Sequence, residues 1–488
     1  MENITSIEGI LLISGILVIV AVILSKASSW LGIPALLFFL GLGMLSGSEG
    51  IGGIYFNDPW IAQFLGSVAL AYILFSGGLD TRWSDVKSVV KPAMTLATLG
   101  VLMTALILGY FVHILLKIPL LEGLLLGSIV SSTDAAAVFA ILRNREIHLQ
   151  GKLEPLLEFE SGSNDPMAVL LTIGFTGLIM HGNQSILELG QFFLVQMGLG
   201  AALGILSAKF FVWFINRLNL KIEGLYTVFS IAIVALIFGL TNVIGGNGFL
   251  AVYLAGILMG NKNFIHKRTL RKFHDGLAWL MQIMMFLTLG LLVFPSEVIS
   301  ITGVGLLISV FLIVVARPIS VMVCLVKSNF NFREKLMIAW VGLRGSVPII
   351  LATFPLLAGV EHARLIFNIV FFVVITSSLI QGSSITPVSK WLDVQDKTPK
   401  KKNRTLPQDI ELTSDGALTI FEVHCGAGAC GQKIMDLDIP AEVLIILIER
   451  DHAYIIPRGD LTIEDGDRLH ILLYPDMYNR VEKIFTQP

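Results

Sequence analysis

The chain has 488 residues, of which 55% are hydrophobic and only 14% charged, with a mean hydropathy of +0.80 and a formal net charge of −2. That apolar excess excludes an ordinary soluble globular protein and points to a polytopic protein bathed in membrane lipid. The near-neutral charge names no partner by itself, and no nucleic acid is expected.

Met1 to Glu8 carry two acids and no Lys or Arg, the wrong polarity for the basic start of a cleaved signal peptide, so the first apolar run is expected to stay as a helix. Apolar runs of spanning length fall at 7–25, 33–47, 60–79, 92–116, 121–141, 154–180, 189–215, 223–243, 247–260, 276–294, 301–327, 334–357 and 362–386. The expectation is an all-α membrane unit of thirteen transmembrane helices, residues 1–388. An odd count puts the termini on opposite sides. Alternate connections hold seventeen Lys and Arg, from Lys26 to Lys335, against Lys117 and Arg364 in the other set. The positive-inside rule then predicts an extracytoplasmic N-terminus and a cytoplasmic C-terminus in an inner membrane. A basic linker, 389–403, follows, and 404–488 reads as a small cytoplasmic α+β domain with strands near 417–421 and 443–448.

Two spans carry helix-weakening residues. The fifth has Ser131-Ser132-Thr133-Asp134, whose side chains compete for backbone hydrogen bonds; the twelfth has Gly342-Leu343-Arg344-Gly345 and then Pro348. Interrupted helices in separate halves of a chain point to a transporter site built on inverted repeats, here 92–180 and 301–386. Crossed breaks would leave helix ends facing one another inside the membrane, and Asp134 and Arg344 are placed to compensate those dipoles.

The sixth span contains Glu160-Ser161-Gly162-Ser163-Asn164-Asp165. A carboxylate at mid-bilayer costs about 2.5–3.5 kcal/mol on insertion scales, so this cluster needs a functional reason. A monovalent cation shedding water needs several oxygen ligands, and Asp165, Glu160, Ser161 and Thr133 supply them. Ser161 and Asp165 are four apart and share a helix face. A buried aspartate that holds either a proton or a cation exchanges one for the other. Asn164 stands where a second carboxylate would add a titrating charge, and one titrating aspartate per cation predicts electroneutral 1:1 exchange.

Leu74-Phe-Ser-Gly-Gly-Leu79, Ser132-Thr-Asp-Ala-Ala-Ala137, Glu160-Ser-Gly-Ser-Asn-Asp165, Gly248-Phe-Leu-Ala-Val-Tyr-Leu-Ala-Gly256 and Gly342-Leu-Arg-Gly345 together resemble the monovalent cation/proton antiporter family, in its electroneutral sodium or potassium branch. The resemblance implies a homodimer with a six-helix core that moves as an elevator. It implies Asp165 as the carrier carboxylate, Glu160, Ser161 and Thr133 as cation ligands, Asp134 and Asn164 as stabilisers of the breaks, and Arg344 as a charge partner. Many relatives have an acid where this chain has Ser76, thought to pair with an arginine in the eleventh helix; Arg317 is that arginine here, and its partner stays open.

The tail, through Leu437-Asp-Ile-Pro440, Ile445-Ile-Leu-Ile-Glu-Arg450, Ile456-Pro-Arg-Gly-Asp460 and Gly466-Asp467, resembles the C-terminal ligand-binding subdomain of potassium-conductance regulators. Such domains bind small ligands, nucleotides among them, at a dimer interface. No Gly-rich dinucleotide fold precedes it, so no NAD site and no bound cofactor are expected. The module favours potassium over sodium by association.

Other classes fit less well. A ligand-regulated cation channel lacks a Thr-Val-Gly-Tyr-Gly filter, whereas a sodium-coupled solute symporter shares the broken helices. Neither Asp134 nor Asp165 has the Gly-x-Gly-Asp setting of an intramembrane protease, and no His-Glu-x-x-His occurs, so no enzyme is expected. Cys324, Cys425 and Cys430 have no zinc-ligand spacing and are expected as thiols in a reducing cytosol. His148, His266 and His274 are expected in cytoplasmic connections, where a histidine is most often solvated or interfacial.

Overall fold

The computed structural model describes residues 7–31, 34–145, 147–182, 186–396, 417–423, 428–440, 442–450, 453–474 and 477–486. Most of the linker, 397–403, lies outside them, as do 404–416 and Cys425. The chain forms two compact units, Met1–Lys397 and Thr398–Pro488.

The first unit is helical. It begins with α1 (Ile7–Leu31), α2 (Ala35–Ser46) and α3 (Pro59–Asp80). Asp58 starts α3, its Oδ1 accepting from the backbone N–H of Trp60 and Ile61 at 2.9 and 3.1 Å, with Pro59 in the first turn where no amide hydrogen is needed. After the short α4 (Trp83–Val86), α5 (Val90–Thr95) runs through a π-helical turn at Leu96–Gly100 into α6 (Val101–Leu116). Then come α7 (Leu120–Ile129), α8 (Ala135–Asn144), α9 (Leu153–His181), α10 (Ile186–Leu218), α11 (Gly224–Val243), α12 (Gly248–Gly260) and α13 (Lys267–Leu291). α13 starts well before the apolar run at 276 because its first turns are basic: Lys267, Arg268, Arg271 and Lys272 conceal the helix from a hydropathy reading.

The remainder repeats the pattern of α5 to α9. The short α14 (Pro295–Ser300) leads to α15 (Thr302–Phe311), which passes through a second π-helical turn, Leu312–Ala316, into α16 (Arg317–Cys324). α17 (Phe332–Trp340) opens with a capping box between Asn331 and Glu334; it is followed by α18 (Ser346–Leu351), α19 (Thr353–Ala358) and α20 (Ala363–Trp391). Thr104 and Ser320 each lie eight positions after the start of a π-turn, and Thr104 Oγ1 donates to Ser320 Oγ at 3.0 Å in the buried seam between the two halves.

Among the described residues, seven helices are long and apolar enough to cross a membrane: those beginning at Ile7, Pro59, Val90, Gly190, Gly224, Thr302 and Ala363. Four shorter apolar helices, Ala35–Ser46, Leu120–Ile129, Gly248–Gly260 and Ser346–Ala358, accompany them. Two of these four belong to the interrupted helices. Large apolar side chains are left exposed along α1 and α10, among them Leu11, Ile19, Leu194 and Leu206. Water would disfavour that surface and lipid would not.

In the second unit, β1 (Ala417–Glu422), β2 (Leu444–Arg450), β3 (Ala453–Ile455) and β4 (Arg468–Leu473) make an antiparallel sheet in the order β1-β4-β2-β3. Ala417 pairs with Leu473 and Ile448 with Ile455. The amphipathic α21 (Tyr478–Thr486) buries Val481 and Phe485 in a core with Phe421, Ile448, Leu469 and Ile471. Arg450 reaches across to the turn before β4. Its Nε and Nη2 each donate to Asp467 at 2.8 Å, a two-pronged pair that ties the turn to β2.

Candidate functional site

Both interruptions follow from local chemistry. α7 ends at Ile129, and 130–134 are not helical, since Ser131 turns its hydroxyl back onto the Ser128 carbonyl at 2.6 Å. The chain re-enters helix at Asp134, whose Oδ1 accepts from the Ala137 N–H at 3.1 Å as an N-cap. In the second interruption, 341–345, the backbone is not helical, and Gly345 (φ −106°, ψ −146°) leads into α18. The two breaks touch: the Asp134 N–H donates to the Leu343 carbonyl at 2.7 Å. A Cβ on Gly345 would fall 2.2 Å from Asp134 Oδ2, so only glycine permits this approach.

Arg344 is 1% exposed, and its Nη1 donates to the carbonyls of Ser131 and Ser132 at 2.7 and 2.6 Å. Those carbonyls lie past the C-terminal end of α7, where the helix dipole is negative, so the arginine of one break satisfies the open end of the other.

α9 supplies the third wall. Ser161 Oγ donates to the Thr133 carbonyl and accepts from the Ala135 N–H, both at 2.9 Å. Asn164 Nδ2 donates to Thr133 Oγ1 at 2.5 Å, and Ser132 Oγ donates a short hydrogen bond to Asp165 Oδ1. Asp165 is buried, with 7% of its surface exposed. Pro166 follows it and has no N–H for the Gly162 carbonyl, so α9 is weakest at the cluster itself. Asn247, the N-cap of α12, holds that stretch by donating from Nδ2 to the Pro166 carbonyl at 3.0 Å. The Tyr253 ring lies against Gly162 so closely that a Cβ there would meet it at 2.4 Å.

Asp165, Thr133, Asp134 and Ser161 line a cavity of about 490 Å³, together with Ser132. Its other end is charged, with Arg143, His148, Glu154, Glu158 and the Asp80–Arg271 ion pair. Those residues sit at the C-terminal ends of α3 and α8, the N-terminal turns of α9 and α13, and the α8–α9 connection. The cavity is therefore a funnel from one polar face to a single buried aspartate.

Four of the residues singled out from the sequence, Asn164, Glu160, Arg317 and Arg344, do not line that cavity. Asn164 bonds the backbone and hydroxyl of Thr133 from behind. Glu160, expected among the cation ligands, faces the other way, and its Oε1 accepts from Arg317 Nη2 at 2.6 Å with both side chains almost fully buried. That pair also supplies the partner which Ser76 left open. Ser132 was noted in the sequence only as a helix breaker, and its bond to Asp165 was not foreseen. Ser377, Ser378 and Gln381 of α20 were not singled out at all, yet they hold the second break: the Arg344 N–H donates to Ser377 Oγ at 3.0 Å, Ser378 Oγ to the Arg344 carbonyl at 3.2 Å, and Gln381 Nε2 to the Trp340 carbonyl at 2.7 Å. Their signal was present as a run of small and amide side chains in an apolar span.

Comparisons with known proteins agree with this architecture. Residues 16–391 match the sodium/hydrogen exchanger transmembrane family, and 418–486 match the TrkA-C domain. The chain is 38% identical to the K(+)/H(+) antiporter NhaP of Alkalimonas amylolytica over 95% of its own length and 80% of that protein. It is also 38% identical to the K(+)/H(+) antiporter NhaP2 of Shewanella sp. strain ANA-3, over 99% of this chain and 84% of the relative. The sodium proton antiporter MjNhaP1 of Methanocaldococcus jannaschii superposes with a TM-score of 0.69 at 24% identity, covering 78% of this chain and 97% of that one. These relatives are transporters, not enzymes. The chain belongs to the sodium/hydrogen exchanger family, as a multi-pass membrane antiporter with a C-terminal TrkA-C domain.

Proposed function

We propose that this protein exchanges potassium, and less favourably sodium, for protons in an electroneutral 1:1 cycle, with Asp165 as the group that carries either ion. One observation carries the reading: a single buried aspartate at the head of a polar funnel, beside two touching helix breaks. Its neighbours Ser161 and Thr133 offer neutral oxygens, which suit a weakly held monovalent ion better than a cage of carboxylates would. Glu160, balanced by Arg317, is assigned to holding α9 against α16 and not to direct ligation. Asp134, Asn164 and Arg344 are assigned to stabilising the breaks. Potassium is favoured by the names of the two bacterial relatives and by the TrkA-C domain, which is read as a regulatory module for a small ligand.

In this reading thirteen helices span the cytoplasmic membrane, with the N-terminus outside and the C-terminus inside, and the funnel opens to the cytoplasm. α5 to α9 and α15 to α20 form the inverted repeats of a core that slides like an elevator against the other helices in a homodimer. Purified protein in proteoliposomes, with proton movement followed on adding potassium, sodium, lithium or rubidium, tests it. Exchange should run with potassium and be insensitive to a clamped membrane potential. Asp165→Asn should abolish it, and exchange retained in that variant would sink the mechanism.

A further inference from the structure

At the end of the bundle away from the funnel, three side chains outside the exchange site converge. Glu122 lies in the first turn of α7, and His362 immediately precedes α20 with Glu361 beside it. His362 Nδ1 and Glu122 Oε2 are 2.7 Å apart, and a ligand atom from each of the three residues lies within 4.8 Å of the others. We infer that Glu122, Glu361 and His362 form a binding site for a divalent transition-metal ion of the zinc class.

Geometry is the first support. Nitrogen and oxygen ligands sit about 2.0–2.2 Å from zinc, so tetrahedral neighbours are roughly 3.3 Å apart. The present separations bracket that value. Closing the site asks only for a small opening of the His362–Glu122 contact and a swing of the exposed Glu361 side chain.

Charge is the second. Glu122 is 4% exposed, and its ion-pair partner among the described residues is an imidazole. Glu361 adds a second carboxylate to the same few ångströms. The nearby Arg364 does not compensate them, because its Nε is committed to Glu297 Oε2 at 3.1 Å. A proton on His362 would cancel one negative charge, whereas a dication cancels both. One imidazole with two carboxylates is a mixed nitrogen and oxygen set that selects zinc, nickel or cobalt over calcium and magnesium. Water would complete the coordination from the open side.

The place gives the site a consequence. α7 runs into the break that carries Ser132, the hydrogen-bond donor to Asp165, and α20 holds the second break through Ser377 and Ser378. A metal joining their ends braces the two halves of the exchange site from behind.

The test uses the full chain in detergent, stripped with chelator and then titrated with zinc chloride, with bound metal counted after dialysis and thermal unfolding followed in parallel. One zinc per chain and a raised unfolding temperature are expected, with calcium unable to compete. His362→Ala should remove that zinc, and Glu361→Gln should weaken it about tenfold or more through loss of one ligand. Because Glu361 is exposed, its variant folds whether or not His362→Ala does. A Cys425→Ser, Cys430→Ser double variant should keep the zinc. Zinc binding that is unchanged by Glu361→Gln, lost in the cysteine variant, matched by calcium, or absent altogether would overturn the proposal.

Discussion

The two interrupted helices are held by their neighbours in the same manner but differ in charge. In the first, Ser161 and Asn164 of α9 grip the backbone and hydroxyl of Thr133; in the second, Ser377, Ser378 and Gln381 of α20 grip Arg344 and Trp340. Each pairing places hydroxyl and amide side chains of a continuous helix against the opened backbone of a broken one, which satisfies groups that hydrocarbon would leave bare. Only the first pairing contains a carboxylate, Asp165, facing the cavity. The second offers an arginine that reaches back to the first break. In the proposed mechanism the difference separates scaffold from carrier: the hydroxyl and amide grip is what a break requires, and Asp165 is what the first half adds to it.

Functional loss should be most lopsided when the added group is removed. Asp165→Asn should bring exchange to background in proteoliposomes, while Gln381→Asn, at the second break, should keep a measurable fraction of it. Equal losses would erase the distinction between carrier and scaffold. Next in size is Glu160→Gln, which leaves Arg317 buried without its counter-charge and should cost about 3–5 kcal/mol, read as a lower unfolding temperature in detergent. Replacing both partners with apolar residues should recover much of that loss. Gly345→Ala comes third. Its Cβ meets Asp134 at the contact between the breaks, and overpacking there should cost about 1–3 kcal/mol and slow exchange without changing which ion is preferred. Ser377→Ala removes one acceptor for the Arg344 N–H and should cost about 1–3 kcal/mol, at the lower end if water enters.

The smallest effect lies outside both breaks and serves as a control. His470 of β4 is buried, which lowers its pKa below the usual 6.5; Glu449 opposes that and Arg468 reinforces it. Below about pH 6.5 the unfolded tail takes up a proton that the folded domain resists. The stability held above that pH should therefore decline as pH falls, and His470→Phe should flatten the dependence. Unfolding of the tail followed against pH checks this.

Hydropathy and breaker residues made much of the fold legible. Helices occupy each apolar run named from the sequence, and Ser131 to Asp134 and Gly342 to Gly345 are where the helices open. Side chains that act through local chemistry were readable in the same way: Asp134 caps the helix it precedes, and Ser161 shares a face with Asp165. What could not be read were pairings across long stretches of chain. Glu160 meets Arg317 across 157 positions, and a carboxylate in an apolar segment looks the same in sequence whether it faces an ion path or an arginine. The π-helical turns were hidden as well, because Leu96–Gly100 and Leu312–Ala316 contain no residue that marks an extra backbone step.

The buried Glu160–Arg317 pair has an electrical consequence. Moving one uncompensated elementary charge through a membrane potential involves about 2.3 kcal/mol per 100 mV. If the core moves as proposed, one that carried Glu160 bare would do that work on every crossing, against the potential in one direction and with it in the other. In that proposed movement the arginine beside it would let the pair cross as a dipole of no net charge, leaving the charge balance of the proposed cycle to Asp165, neutral with either a proton or a potassium ion. In the proposed cycle the voltage independence of each crossing would rest on α9 and α16 together, and loss of this arginine with Glu160 still ionised would make the two half-steps respond to voltage in opposite directions.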